Sequence, residues 1–134
     1  MKTSLGARLQ HVSTPYPAGR ADALRDFYGG VLGLVEKEVP ASLAGGGLVW
    51  YEAGDGELEL HFIAEEDWSP PRLQRHFCLE LSDLGAARER VERAGRFLRE
   101  ATPIPNRPRF FCTDPFGNLV ELTTILGDYL TTEP

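Results

Sequence analysis

From Ala21 to Leu32 the apolar side chains fall at Leu24, Phe27, Tyr28, Val31 and Leu32, three and four residues apart, which gathers them into one stripe of a helix. Gly33 follows as the stop, because glycine enters the left-handed conformation that ends a helix without a Cβ clash. The period then changes. LVEKEV, LVWYEA and ELELHFIA read as strands, with Gly45-Gly46-Gly47 and Gly54-Asp55-Gly56 as the turns between them. Ahead of the helix, LQHVS is a first strand around His11, and Pro15, Pro17 and Gly19 read as the turn that leaves it.

After a break at Trp68-Ser69-Pro70-Pro71 the order begins again. HFCLEL is a strand. SDLGAARERVERAG is a helix with Leu84, Ala87, Val91 and Ala94 on its apolar side, Ser82 or Asp83 as its cap, and a solvated charged face; FLRE, RFFCT and NLVELTTI close the set as strands. The pattern predicts an α+β fold of two tandem βαβββ modules, about residues 8–66 and 73–127, in one domain spanning residues 1–134.

Polar residues that interrupt these strands repeat with the modules. His11 and His76 both sit in first strands, 65 residues apart, and Glu59 and Glu121 both sit in last strands, 62 apart. Glu121 is the more pointed case: in DPFGNLVELTT a turn leads into an alternating strand that puts this carboxylate between half-buried neighbours. A buried carboxylate without a partner would be driven to protonate, so a partner is expected.

Composition narrows the chemistry. With 134 residues and 42% hydrophobic content the chain suits one core, and a net charge of −6 disfavours non-specific binding to nucleic acid or anionic membranes. No apolar run has the ~20-residue length of a membrane span, and Met1 to Gln10 carry no signal-peptide pattern, so a cytoplasmic location is expected. Cys78 and Cys112 are too few for a disulfide framework and read as reduced, mostly buried thiols without a basic partner nearby.

The doubled βαβββ pattern, a histidine in each first strand, DFYGGVLGL and the closing DPFGNLVEL together resemble the vicinal oxygen chelate superfamily over about residues 8 to 127. That group includes glyoxalase I, methylmalonyl-CoA epimerase, extradiol dioxygenases, fosfomycin-resistance thiol transferases and metal-free bleomycin-binding proteins. The resemblance implies two modules curled as an open, barrel-like sheet around a cavity with a divalent ion (Fe, Zn, Ni, Mn or Co) at its floor. It places ligands at His11, His76 and Glu121, a set that suits a first-row metal and leaves coordination positions open. For the fourth ligand two residues on one strand face compete. Glu59 matches a carboxylate ligand of glyoxalase I, whereas His61 avoids an unusually anionic site; whichever is not the ligand is its hydrogen-bond partner or a rim residue.

The activity implied is that of a metal-dependent lyase or isomerase on a small oxygenated substrate, with Glu121 or Glu59 moving a proton α to a carbonyl. An extradiol-type Fe(II) dioxygenase and a non-catalytic, bleomycin-type binding protein are the alternatives. Arg107 and Arg109 in PNRPRFF suit an anionic substrate group, and Trp50 and Phe111, with Tyr51, Phe62 and Phe110, supply aromatic surface. A homodimer is expected, because open sheet edges need cover and two-fold pairing is the commonest way to provide it.

Overall fold

The computed structural model describes residues 4–72 and 74–130. Strand β1 (His11–Pro17), helix α1 (Ala21–Arg25) and strands β2 (Glu36–Lys37), β3 (Leu48–Glu52) and β4 (Glu59–Glu65) form one module; β5 (His76–Glu80), α2 (Leu84–Arg93), β6 (Leu98–Glu100), β7 (Arg109–Thr113) and β8 (Leu119–Thr123) form the next. Each module makes its own four-stranded sheet, ordered β1-β4-β3-β2 and β5-β8-β7-β6. In both, the first strand lies parallel to the last and the remaining pairs are antiparallel. The fold is therefore the expected tandem βαβββ, with sheets that stay open.

Local differences from the sequence pattern have physical causes. The helical stripe forms, but α1 ends at Arg25 and Asp26–Val31 is a π-helical turn, closed by the Leu32 N–H donating to the Phe27 carbonyl at 2.9 Å. Its wider winding brings the adjacent Phe27 and Tyr28 both into the interior. Gly33 does stop the segment, at φ +73°. β1 runs through Pro15 and Pro17 where a turn was expected; it is an edge strand, paired only with β4, so a missing N–H on its open side breaks no ladder. LVEKEV and FLRE shrink to β2 and β6, the outer edges, whose brevity limits the unpaired backbone exposed. Asp83, rather than Ser82, caps α2 by accepting from the Ala86 N–H at 3.0 Å. On β8 all five residues are buried, not one face in two.

A single apolar cluster spans both modules, with Leu24, Tyr28 and Phe62 of the first against Val91, Phe110, Val120 and Leu122 of the second, all fully buried. At its centre lies Asp114, 2% exposed, in the turn before β8. Its Oδ1 accepts from the Phe116 and Asn118 backbone N–H groups at 2.8 and 2.9 Å. Oδ2 accepts from Asn118 Nδ2 and from the Tyr28 hydroxyl, each at 2.7 Å. Gly117 completes the turn at φ +87°. Burial and the neighbouring carboxylate push the Tyr28 phenol well above its ordinary pKa, so it stays a donor.

Tyr28→Phe removes one charge-assisted hydrogen bond and is expected to destabilise the fold by about 1.5–3 kcal/mol. Asp114→Ala strands several buried donors together and is expected to destabilise it by about 3–5 kcal/mol. Urea denaturation measures both, and equal effects would show that the Tyr28 contact is the whole of the role of Asp114.

Candidate functional site

On the sheet face opposite the core, each module lines up the same kinds of side chain, one per strand. In the first sheet Lys37 on β2 pairs with Trp50 on β3, Trp50 with His61 on β4, and His61 with Ser13 on β1; His11 lies two residues before Ser13. In the second, Arg99 pairs with Phe111, Phe111 with Glu121, and Glu121 with Cys78; His76 lies two residues before Cys78. Each row thus runs base, ring, ligand-type residue, with a histidine on the first strand. Counted this way the counterpart of Glu121 is His61, and Glu59 corresponds to Leu119. The offset between counterparts falls from 65 at His11 and His76 to 60 at His61 and Glu121, because the connecting loops differ in length, so the offset of 62 that equated Glu59 with Glu121 misses by two residues.

The first row is a stack. The His61 ring lies between Trp50, centroids 3.8 Å apart and planes 2° from parallel, and His11, at 4.1 Å and 18°. Its Nε2 is 2.8 Å from Glu59 Oε1, and the Lys37 ammonium donates to Glu59 Oε2. Those hydrogen bonds, from Lys37 first and His61 second, hold the Glu59 carboxyl down at about 2. His11 Nδ1 contacts the Gln10 side-chain oxygen at 2.7 Å.

The second row answers why a carboxylate sits inside β8. Glu121 is 3% exposed; its Oε2 accepts from Arg107 at 3.4 Å and Arg109 at 3.2 Å, and its Oε1 is 3.2 Å from His76 Nε2. Arg109 is held in turn by the Thr102 carbonyl at 3.0 Å, and Arg107 lies over the Tyr129 ring. Phe111 meets His76 edge-on at 5.2 Å between the guanidiniums of Arg99 and Arg109. The two arginines expected at an anionic substrate group are thus turned onto Glu121.

The histidines and carboxylates come together in pairs and not as one set. Among the described residues no three of His, Cys, Asp and Glu converge to hold a metal ion. The donor types themselves suit a divalent first-row ion. β1 and β5, the open edges of the two sheets, jointly line cavities of about 870 and 790 Å³, with His11 and Glu59 at the first and His76 at the second.

Tyr51, Phe62 and Phe110 are core residues. Cys112 is buried and pushed up to about 12 by that burial; Cys78 is exposed, contrary to expectation, yet its thiol is also raised, by desolvation and then by Glu121. Neither suits a nucleophile. Four buried side-chain atoms lack a hydrogen-bond partner among the described residues, and Trp50 Nε1, Arg107 Nε and Arg109 Nε belong to these rows. Lys37 and Arg99 escaped the sequence reading. The signal available was their place as the base within each module's short strand, Lys37 in LVEKEV and Arg99 in FLRE.

A family model described as the Glyoxalase/Bleomycin resistance protein/Dioxygenase superfamily matches residues 8–122. A glyoxalase family protein from Bacillus anthracis has a similar structure, with TM-score 0.81, 25% identity and coverage of 93% of this chain and 99% of that one. A lactoylglutathione lyase from Agrobacterium tumefaciens (TM-score 0.65, 20% identity, 90% and 96% covered) and an antibiotic-binding protein from a Streptomyces strain (0.68, 19%, 92% and 99%) share the fold. A comparison with curated proteins finds no match. Among the described residues no helix is long and apolar enough to cross a membrane.

The lowered pKa of Glu59 has a definite sign. Its contribution to stability is complete above the ordinary carboxylate value of 4.5 and is lost as pH falls from there through about 2. Carbon-detected NMR titration should find Glu59 ionised at pH 3.5, and Lys37→Met should bring its midpoint back toward 4.5; an unmoved midpoint would exclude Lys37 as the main cause.

Proposed function

The chain belongs to the Glyoxalase/Bleomycin resistance protein/Dioxygenase superfamily, and on that premise we propose that it is a metal-dependent enzyme of the lyase or isomerase kind, acting on a small oxygenated substrate. One observation carries the reading: in the second row His76 Nε2 stands 3.2 Å from Glu121 Oε1. Two donors that share an ion at ~2.1 Å and a right angle stand about 3 Å apart, so this pair has the spacing of neighbouring ligands.

His11, His76 and Glu121 would hold the ion, with His61 as the fourth ligand and Glu59 as the carboxylate that orients it. The register, which equates His61 with Glu121, supports that choice, as does the engagement of both Glu59 oxygens by Lys37 and His61. A divalent ion there supplies Lewis acidity toward adjacent substrate oxygens. Proton transfer α to a carbonyl would fall to Glu121, or to Glu59 opposite it. Arg107 and Arg109 fix that carboxylate from one side and stand ready for an anionic group, while Trp50 and Phe111 wall the two rows. A homodimer in which β1 or β5 meets a partner edge would cover the open strands and complete the set.

A second reading, a binding protein without chemistry, is supported by the cations already seated on both carboxylates: Lys37 on Glu59, Arg107 and Arg109 on Glu121.

Emission spectroscopy on protein purified without added metal, and again after dialysis against Zn(II), Ni(II), Mn(II), Co(II) or Fe(II), separates the two. The enzyme reading expects about one ion per chain for at least one metal and a loss of most of it in His11→Ala, His76→Ala and Glu121→Ala. No retained ion under any loading would leave the binding protein. Light scattering should give twice the 14.9 kDa of one chain, and a concentration-independent single-chain mass would remove the dimer.

A further inference from the structure

We propose that Lys37 and Glu59 are positioning residues that fix the tautomer and orientation of His61, so that this imidazole carries its proton on Nε2 and offers Nδ1 as its free donor atom. The inference stands on hydrogen-bond geometry and rests on the proposed function only for what Nδ1 is used for.

The argument runs from the outermost residue inward. Lys37 sits on β2, the two-residue edge strand, and its ammonium can only donate. It donates to Glu59 Oε2, which keeps that carboxylate in its acceptor-only form and stops it from turning. The other oxygen, Oε1, lies 2.8 Å from His61 Nε2. Between an ionised carboxylate and a ring nitrogen at that distance the hydrogen must be on nitrogen, so Nε2–H donates. A half-turn of the ring would put Cε1, a carbon, at the Glu59 oxygen, and the turn is opposed by Trp50 on one face at 3.8 Å and His11 on the other at 4.1 Å. No hydrogen bond from the described residues reaches Nδ1. Lys37 and Trp50 are themselves cross-strand partners, as are Trp50 and His61, so one row of the sheet supplies both the electrostatic anchor and the ring clamp. In the second row Arg99 lies over Phe111 and does not reach Glu121, which has Arg107 and Arg109 instead. The relay belongs to the first module alone.

The test uses the intact chain, stripped of metal by chelation, so that failure of the metal reading leaves it unaffected. Two-dimensional 15N–1H NMR of the imidazoles should give His61 a proton on Nε2, shifted downfield and slow to exchange with water. Glu59→Leu removes the acceptor, and the His61 Nε2 proton should then exchange at least about tenfold faster, the protection that one charge-assisted hydrogen bond provides. Lys37→Met should speed exchange in the same direction, and Lys37→Arg should restore the wild-type spectrum, which loss of packing alone would not do. Finding the His61 proton on Nδ1 in the wild-type chain, or a Lys37→Met spectrum identical to wild type, would overturn the proposal. Backbone amide spectra recorded in parallel establish that each variant is folded.

Discussion

The Asp114 carboxylate is the interaction on which the arrangement of the two modules depends. Each module is a four-stranded sheet with one short helix, too small to bury its own apolar face. Their faces merge into one cluster, and Asp114 fixes how they merge, since it caps the turn entering β8 while accepting from Tyr28 of the first module. A buried charge is tolerable because all four contacts are donors aimed at it. Removing any one leaves a buried acceptor position without its donor. The start of β8, and with it the position of Glu121, is therefore set from the other module.

Much of the fold was legible from periodicity. The stripes at Leu24, Phe27, Tyr28 and Leu32 and at Ala87 and Val91 are buried as their spacing predicts, and the strand order repeats as the alternation implies. What failed to show was information that lies between elements. Pro15 and Pro17 read as a turn because a sequence does not reveal that β1 is an edge. DPFGN read as a turn, correctly, but nothing local announces that its aspartate reaches Tyr28, 86 residues away. The carboxylate at Glu121 was expected to have a partner; that the partners include both Arg107 and Arg109 depends on the β7–β8 pairing, which sets Phe111 opposite Glu121 and so leaves Arg109, two residues earlier on the same face, in diagonal reach of it.

The site shows the same division more sharply. His11, His61, His76, Glu59 and Glu121 were picked from the sequence; the structure puts His11, His61, His76 and Glu121 in rows of matched residue types, while Glu59 corresponds to Leu119. The matching of Glu59 to Glu121 by sequence offset did not survive the register, because a slip of two residues keeps side chains on the same face and so leaves the alternation unchanged. Only pairing to neighbours resolves it: Trp50 beside His61 corresponds to Phe111 beside Glu121. Pattern alone fixes which face a residue occupies, and the ladder fixes where along that face.

Charge sets the last constraint. In the first row Lys37 balances Glu59, and in the second Arg107 and Arg109 outnumber Glu121 by one positive charge. A divalent cation entering beside Glu121 would meet that surplus at short range and in a partly desolvated setting, where repulsion between like charges is weakly screened. Entry thus requires either that the guanidiniums swing away from the carboxylate or that an anionic molecule arrives to neutralise them. The second route couples the two events: whatever negative oxygen group turns Arg107 and Arg109 outward also frees the Glu121 oxygen they hold. Affinity for cation and for anionic ligand would then rise together, each raising the other by the same factor, since binding free energies at coupled sites are reciprocal.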